Sequence, residues 1–218
     1  MRRILPLVLA IILLTAAPSF ASTPAPDAPR KAPTALFFGD SYFVGGGCSP
    51  DASRGMAAIA GRQLGYAPVT RGAGGTGFAS ANVEYGIPSY LAQIADGALD
   101  VANPALVVIE GGTNDYGRPL AKIRRNAGKV ISIAQRKHPG AKIVLAGPMQ
   151  TYGDFSLSDP IKTTLRQLAK KRGIAFINMQ KWTYGHDDWL CSDYVHPTYA
   201  GQEMIAARLA QALAKRGA

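Results

Sequence analysis

Cysteine and histidine are scarce in this sequence, with two and three residues among 218. Cys48 and Cys191 stand far apart and have no further metal ligands at a suitable spacing, so the sequence predicts no metal site. Beyond the N-terminus no apolar run is long enough to span a bilayer. Internal repeats and nucleic-acid-binding motifs are also missing. These absences argue against a metalloprotein, an integral membrane protein, a repeat protein and a nucleic-acid-binding protein.

Acidic residues are also few: 14 Asp and Glu stand against 24 Lys and Arg, which gives a formal net charge of +10. A basic surface can attract anionic partners such as envelope polymers, lipid headgroups or nucleic acid. The cations are scattered over predicted helix faces, as at residues 122–125. We therefore interpret them mainly as a solvated surface, with a weak preference for an anionic envelope surface.

The N-terminus is typical of a secretory signal peptide. A basic start is followed by an apolar stretch at residues 4–14 and by small residues up to Ala21, which predicts residues 1–21 as the signal, cleaved after Ala21. A retained N-terminal anchor is the alternative. Residues 22–33 are rich in Pro and Ala and are expected to be a disordered leader. Residues 34–218 then form one domain, and we expect a bacterial protein that is exported, either periplasmic or secreted.

Short apolar runs rich in β-branched and aromatic residues alternate with amphipathic segments. The runs predict five buried strands at residues 36–38, 68–70, 106–109, 143–146 and 174–177. The other segments predict helices at residues 52–64, 89–99, 120–137, 160–171 and 197–215. This alternation indicates a parallel, three-layer α/β domain, in which a site lies beyond the carboxyl ends of the strands.

Three short motifs stand at such positions. Gly-Asp-Ser, ending at Ser41, directly follows the first predicted strand, and Gly-Thr-Asn-Asp, which contains Asn114, directly follows the third. An Asp-x-x-His motif, Asp193 to His196, lies past the fifth strand. Together they offer a nucleophile, an amide donor, an acid and a base. Hydrolysis of an ester through an acyl-enzyme intermediate requires these groups and needs no metal or cofactor.

Each motif also has a purely structural interpretation when it stands alone. Gly-Asp-Ser is common in strand-to-helix turns, and Asp193 is a favourable cap for the last helix. His138 stands at a helix end and His186 in a polar loop, which leaves His196 as the best candidate for a base. The Gly-rich loop at residues 70–77 lacks the Lys-Ser/Thr ending of a phosphate-binding loop. It can present a backbone N–H to an oxyanion or serve as a flexible turn.

Cys48 and Cys191 admit three interpretations: metal ligands, a catalytic thiol or a disulfide. Too few ligands accompany them for a metal, and a catalytic thiol would compete with Ser41. An exported protein can keep a disulfide. Cys48 lies seven residues after Ser41 and Cys191 five before His196, so contact between Ser41 and His196 would hold the cysteines in one neighbourhood. We favour the disulfide.

The motifs resemble those of the SGNH hydrolases, also called the GDSL family of esterases and lipases. Ser41 stands where the family has its nucleophile. Asn114 matches the family's third block, and Asp193 and His196 match its last block. The resemblance implies a triad in which Asp193 orients His196 and His196 activates Ser41.

The second block of the family is similar to residues 70–75, although Thr70 stands where the family usually has Asn. The last glycine of that block donates to the oxyanion hole and corresponds to Gly75. The resemblance therefore implies an oxyanion hole made of the N–H groups of Ser41 and Gly75 and the side chain of Asn114. It also implies a flavodoxin-like α/β/α sandwich with a parallel five-stranded sheet of order 2-1-3-4-5. The common α/β-hydrolase fold fits less well, because Ser41 is not in a Gly-x-Ser-x-Gly motif.

These observations predict an exported serine ester hydrolase that acts as a monomer on a small-molecule, lipid or glycan ester. One alternative is a cell-wall or polysaccharide O-acetylesterase or acyltransferase with the same site, and another is a non-catalytic envelope-binding module. The pocket is expected to be lined by residues 42–54, 78–90 and 150–158. Six aromatic residues in these segments suit an apolar acyl or aryl group or pack the loops: Tyr42, Phe43, Phe78, Tyr85, Tyr152 and Phe155.

Overall fold

The computed structural model describes residues 31–218, in which strands and helices alternate. The predicted signal peptide and residues 22–30 of the predicted leader lie outside the described residues. The strands are β1 (Thr34–Gly39), β2 (Ala67–Gly72), β3 (Leu106–Glu110), β4 (Lys142–Ala146) and β5 (Ala175–Ile177). The helices are α1 (Ser41–Val44), α2 (Met56–Gln63), α3 (Tyr90–Ala95), α4 (Leu120–Lys137), α5 (Ser158–Lys171) and α6 (Tyr199–Ala214).

All five strands are parallel and lie in the order β2-β1-β3-β4-β5. The predicted sheet order is therefore confirmed. β1 lies between β2 and β3, so that Leu36 pairs with Val69 on one side and with Val107 on the other. The order reverses beside β1, and a crevice forms at such a point beyond the carboxyl ends of the strands.

Helices cover both faces of the sheet, which explains the continuous apolar character of the strands. Along β1, Leu36 and Phe38 belong to the core on the side of α3, α4 and α5. Ala35 and Phe37 belong to the core on the side of α2 and α6. Side chains alternate between the faces of a strand, so each strand supplies both cores. This arrangement is the predicted α/β/α sandwich.

Helix α4 shows how the apolar pattern places a helix on the sheet. Its buried residues include Ile123, Ala127, Val130 and Ala134, which recur at the spacing of one helical face. Its polar residues, six of them cationic, occupy the rest of the surface. The chain leaves the helix at His138, whose Nε2 lies 3.0 Å from the Leu99 carbonyl oxygen. His138 is therefore part of the helix end, as predicted.

Local differences from the predicted elements have identifiable causes. The predicted helix at residues 52–64 is divided at Gly55 into a 3₁₀ turn, Ala52–Arg54, and α2. The predicted helix at residues 89–99 ends at Ala95, two residues before Gly97, whose φ is +92°. The short helix α1 was not predicted because four residues are too few for a periodic signal. Within residues 31–218 no helix has the length and apolar character needed to cross a membrane.

Candidate active site

The three motifs meet at the carboxyl edge of the sheet, as predicted from their positions after the strands. Ser41 is the first residue of α1 and is 8% exposed. Asp40 caps this helix, and its Oδ1 accepts a hydrogen bond of 3.0 Å from the Tyr42 N–H. The capped turn points the chain sharply away from β1 and leaves Ser41 at the edge of the sheet.

Glycine is required where β1 and β2 end together. Gly72 has a φ of +119°, and a Cβ placed on it would lie 1.8 Å from the Gly39 carbonyl oxygen. Any side chain there would push the strands apart. The close approach brings the Gly-rich loop after β2 against the Gly-Asp-Ser turn after β1. In that loop, a Cβ on Gly74 would lie 3.4 Å from Ser41 Cβ.

Asn114 connects the loops that follow β1, β2 and β3. Its Nδ2 donates to Asp40 Oδ2 at 3.0 Å and to the Thr76 carbonyl oxygen at 3.0 Å. The amide therefore joins the Gly-Thr-Asn-Asp motif to the Gly-Asp-Ser turn and to the Gly-rich loop. An amide nitrogen has two N–H groups, and both are engaged in this structure.

Gly75 stands in the Gly-rich loop with a φ of +72°, a conformation that favours glycine. A Cβ on it would lie 2.5 Å from Asn82 Nδ2. Asn82 Nδ2 donates to the Gly74 carbonyl oxygen at 3.1 Å, and Thr76 Oγ1 donates to the Ala73 carbonyl oxygen at 2.7 Å. The loop is thus held by hydrogen bonds on both sides of Gly75 and is not a free turn.

Asp193 and His196 form a hydrogen-bonded pair. Asp193 Oδ2 lies 2.8 Å from His196 Nδ1, and Asp193 Oδ1 accepts the N–H groups of Val195 and His196 at 2.9 Å each. Burial acts to raise the pKa of Asp193, but the hydrogen bonds from the His196 side chain and these N–H groups hold it below its ordinary value. A charged carboxylate at Nδ1 fixes the ring so that Nε2 is the free nitrogen.

A second glycine-rich segment, Gly45, Gly46 and Gly47, brings Ser41 and His196 together. A Cβ on Gly46 would lie 2.8 Å from His196 Nε2 and 3.1 Å from Ser41 Cβ. A Cβ on Gly47 would lie 2.8 Å from Asp193 Oδ2. Only a backbone without side chains fits in this space, so the three side chains border one small gap. The sequence analysis did not single out these glycines, although a run of three after a predicted nucleophile was a usable signal.

Three cross-links join residues 42–49, which contain these glycines, to the loop between β5 and α6 that carries His196, called here the histidine loop. Cys48 and Cys191 form a disulfide with a Cα–Cα distance of 5.8 Å. Ser49 Oγ donates to the Pro197 carbonyl oxygen, and the Tyr42 hydroxyl donates to the Val195 carbonyl oxygen at 3.1 Å. The loops that carry Ser41 and His196 are therefore tied to each other independently of the two side chains.

Asp40 and Glu110 form a buried pair of carboxyl groups that the sequence analysis missed. Burial raises the pKa of Asp40 to about 6, although hydrogen bonds from the Tyr42 N–H and the Glu110 side chain oppose the rise. Burial, followed by the charge of Asp40, raises the pKa of Glu110 well above its ordinary value. Both carboxyl groups therefore keep a proton to a higher pH than they would in water.

Asp115, next to Asn114, organises the loop after the Gly-rich segment. It is fully buried, and its carboxylate accepts the N–H groups of Phe78, Ala79 and Ser80 at 3.0, 2.8 and 3.0 Å. A Cβ on Gly77 would lie 2.7 Å from Asp115 Oδ1. Asp115 is thus a structural residue of this motif, with three backbone donors that stabilise its charge.

A cleft of about 310 Å³ opens beside Asn114. Its ten lining residues are Tyr42, Thr113, Asn114, Tyr116, Met149, Gln150, Thr151, Tyr152, Leu157 and Val195. The hydroxyls of Thr113 and Tyr116 donate to the Met149 carbonyl oxygen at 2.8 and 3.1 Å. Because these polar atoms are already bonded, the lining presents mainly rings and methyl groups to a ligand.

The predicted pocket segments contribute unequally. Residues 150–158 supply part of the lining, and of the six predicted aromatics Tyr42 and Tyr152 face the cleft. Phe43 and Phe78 are fully buried in the cores on the two faces of the sheet. Tyr85 is 69% exposed and is not in the lining. No residue of the segment at 78–90 lines the cleft. Residues 78–80 and Tyr90 are buried in the fold, and residues 83–86 are exposed.

His186 and possible metal ligands are the remaining candidate groups. His186 stacks on Trp189, with ring centroids 3.7 Å apart, and Arg208 lies over the same indole. His186 is thus a packing residue of its loop. Among residues 31–218, His, Cys, Asp and Glu side chains form no cluster of three or more that is arranged to hold a metal ion.

The sequence matches a known protein family. A model of the GDSL-like lipase/acylhydrolase family matches residues 37–204, a span that contains all three motifs. No curated protein matches the sequence.

Several solved structures share the fold at low sequence identity. A family two carbohydrate esterase from Clostridium thermocellum, in complex with cellohexaose, superposes with a TM-score of 0.72 at 20% identity over 87% of this chain and 66% of that one. The acetyl xylan esterase Est2A from Butyrivibrio proteoclasticus gives 0.65 at 16% identity, over 87% and 65%. The esterase EstA from Pseudoalteromonas sp., inhibited by monoethylphosphonate, gives 0.67 at 18% identity, over 84% and 97%.

The chain spans just under two thirds of the length of these two carbohydrate esterases, with 66% and 65% covered. It covers nearly all of EstA, at 97%.

Proposed function

Because the chain belongs to the GDSL-like lipase/acylhydrolase family, we propose that it is a serine ester hydrolase whose reacting groups are Ser41, His196 and Asp193. The observation that carries the proposal is the small gap at Gly46, which Ser41 Cβ and His196 Nε2 border together, with Asp193 Oδ2 2.8 Å behind the imidazole. A nucleophile, a base and an orienting carboxylate are the parts of a catalytic triad.

In the proposed reaction Ser41 Oγ attacks the carbonyl carbon of the ester while His196 Nε2 takes the hydroxyl proton. The tetrahedral intermediate collapses to an acyl-enzyme on Ser41, and His196 returns the proton to the alcohol that leaves. Water then attacks the acyl-enzyme, with His196 again as the base, and the acid is released. The Asp193 carboxylate stabilises the imidazolium that forms in each half-reaction.

The oxyanion is proposed to be held by the N–H groups of Ser41 and Gly75 and by Asn114. Ser41 stands at the start of α1, where N–H groups have no partner inside the helix. Asn114 Nδ2 donates to Asp40 and to Thr76, so one of its N–H groups must be shared with the oxyanion or turn toward it. A donor that pairs with charge only in the transition state lowers the barrier without tightening substrate binding.

The cleft beside Asn114 favours an ester with a small or flat apolar acyl group. Its volume of about 310 Å³ is at the low end for ligand sites, and Met149, Leu157 and Val195 give it apolar walls. Hydrolysis rates for a series of chromogenic esters should fall as the acyl chain outgrows this space. Replacement of Leu157, which is 58% exposed at the rim, by Ala should move the optimum toward longer chains.

A polysaccharide O-acetylesterase or acyltransferase with the same site is the second candidate. It is supported by the carbohydrate esterases among the structures with this fold and by Tyr152, a 61% exposed aromatic at the cleft, because such rings stack on sugars. Release of acetate from acetylated xylan, compared with release from a simple aryl acetate, distinguishes the two candidates. Transfer of the acyl group to an added sugar would identify the acyltransferase.

Export is also part of the proposal, because the Cys48–Cys191 disulfide is the kind of bond that persists in an oxidising compartment. The groups of the site all come from one chain, so we propose that it works as a monomer. A weak attraction to anionic envelope surfaces is expected from the net charge of +10.

The Ser41→Ala substitution tests the proposed function. We expect a folded protein whose ester hydrolysis is reduced by about three orders of magnitude or more, because only the electrostatic part of the site remains. A fluorophosphonate reagent should label the wild-type protein at Ser41 and leave the variant unlabelled. Near-normal turnover by the folded variant would show that another residue is the nucleophile.

A further inference from the structure

A second concave region lies between α4 and α5 and shares no lining residue with the cleft. This basic groove has a volume of about 920 Å³. Its lining contains six cationic and no acidic residues. The cationic residues are Arg124, Arg125, Lys129, Arg136, Lys171 and Arg172. Within residues 31–218 none of the six takes part in a salt bridge, so their charges are available to a ligand.

The stability of the fold accounts for only part of this charge. Arg136 and Lys171 lie in the last turns of their helices, where the dipole favours cations. Helix α4 contains six cations and no acidic residue, however, and Arg125 and Lys129 stand four residues apart, where like charges destabilise a helix. An anion bound along the groove would remove this repulsion.

Contacts between the two helices set the shape of the groove. Gly128 lets the Arg172 guanidinium approach α4, since a Cβ there would lie 3.4 Å from Arg172 Nη2. Arg172 Nη1 donates to Ser132 Oγ at 2.8 Å, which holds this cation across the groove. Along α4, Arg125, Lys129 and Arg136 follow one another on the same side of the helix, so the positive charge forms a line and not a point.

The lining favours one kind of anionic chain. Four of its six cations are arginines, which bind carboxylates and phosphates in a two-pronged geometry. Hydroxyls at Ser132 and Thr164 alternate with apolar groups at Ile133 and Leu168, which matches the hydroxyls and C–H faces of sugar rings. The lining has no aromatic side chain on which a nucleobase would stack. It also lacks the broad apolar face with which a helix enters a membrane.

We infer that the basic groove between α4 and α5 is a binding site for an acidic linear polysaccharide, which carries a carboxylate on successive sugar units. The inference does not depend on the proposed hydrolase activity. The weak preference for anions that the net charge predicts would then be located in this groove. A protein bound to a glycan matrix through the groove would keep its cleft accessible.

Binding of a fluorescein-labelled oligogalacturonate to the full chain tests this inference. Fluorescence anisotropy should show binding that weakens as salt is raised, since the contacts are ionic. The triple variant Arg125→Gln, Lys129→Gln, Arg136→Gln should bind roughly tenfold or more weakly, the sum of three exposed ion pairs. It should hydrolyse a chromogenic ester at the rate of the unmodified chain, and its circular dichroism should be unchanged.

The matched control removes the same charge from outside the groove, by Lys122→Gln, Lys170→Gln and Lys215→Gln, and should bind within about twofold of the unmodified chain. Equal losses in the two triple variants would overturn the inference, because net charge alone would then explain binding. Tighter binding of a single-stranded oligonucleotide or of anionic phospholipid vesicles than of oligogalacturonate would also overturn it. Neutral dextran should not bind.

Discussion

At the scale of single residues, three buried carboxyl groups hold the backbone and the side chains around the site. Asp40 caps α1 and accepts from Asn114, while Asp115 holds three backbone N–H groups. Glu110 retains a proton beside Asp40 because both carboxyls are buried. None of these three is a proposed reacting group, but Asp40 caps the helix that begins at Ser41, Glu110 accepts from the Asp40 N–H, and Asp115 holds the loop after the Gly-rich segment.

Replacement of Gly46 by Ala should impair the reaction with little effect on the fold. The new Cβ would lie 2.6 Å from His196 Cδ2 and 2.8 Å from Nε2, so the half-buried imidazole must move away from Ser41. A displacement of about 1 Å at a catalytic group can cost on the order of 100-fold in rate. We expect kcat to fall at least tenfold while the melting temperature changes by only a few degrees.

Gly140→Ala is the matched control for Gly46→Ala, since a Cβ on Gly140 meets nothing within 4 Å. It should leave kcat and KM unchanged. If Gly46→Ala also retains full activity, then Ser41 and His196 do not react across the gap beside Gly46, and the proposed base must be reassigned.

At the scale of secondary-structure elements, the site residues lie in short loops, and the strands and helices determine where these loops stand. The parallel strands end at one edge, and β1 and β3 pair directly, which places Ser41 beside Asn114. The histidine loop follows β5 at the far side of the sheet order. Helix α6, which begins directly after this loop, packs with α1 and α2 in one core, and the cross-links then fasten the loop beside Ser41. The disulfide between Cys48 and Cys191 is the covalent one among them.

Loss of this disulfide should lower activity at temperatures where the protein is still folded. The bond closes a loop across 143 positions, and removal of such a bond from a folded protein typically costs roughly 2–5 kcal/mol. It also allows the Ser41 and His196 loops to separate. Activity and far-ultraviolet circular dichroism, followed together over a temperature series with and without reductant, should show activity lost first.

The Cys48→Ala, Cys191→Ala double variant should behave like the reduced protein and should not respond to reductant. A reductant effect of the same size in the double variant would mean that the disulfide is not its cause. Thiol titration of the denatured, unreduced protein gives a direct count, and two free thiols would contradict the bond.

At the scale of the whole molecule, stability should depend on pH through the buried pair Asp40 and Glu110. Both carboxyls have a raised pKa in the folded state, that of Asp40 to about 6. The folded protein therefore binds more protons than the unfolded chain, and these groups stabilise it fully only below their unfolded pKa values near 4. Their contribution is lost as pH rises through the folded pKa values.

Glu110→Gln isolates this effect, because the Gln side-chain oxygen can still accept the hydrogen bond from the Asp40 N–H and the side chain does not ionise. The free energy of unfolding of the variant, relative to that of the wild type, should increase as pH rises from about 5 to 8. This difference in the free energy of unfolding changes by at most about 1.4 kcal/mol per pH unit. Urea unfolding at a series of pH values measures it, and parallel profiles for the two proteins would show that Glu110 is not the group responsible.

The fold class, the strand order through the family resemblance, and the candidate residues Ser41, Asn114, Asp193 and His196 could all be predicted from the amino-acid sequence. This was possible because periodicity and motifs are local, and because parallel strands bring their carboxyl ends to one edge whatever the loops contain. The continuous apolar run of β1 and the single apolar face of α4 are signals of this kind.

The folded chain was needed to identify Gly46 as the spacer between Ser41 and His196, Glu110 as the buried partner of Asp40, and the basic groove between α4 and α5. Each of these arises from groups that are distant in sequence and close in space. The run of three glycines after Ser41 and the cations of α4 are visible in the sequence, but what they face is not. Burial, close backbone approach and the alignment of charge across two helices are properties of pairs of elements, and a local pattern does not specify them.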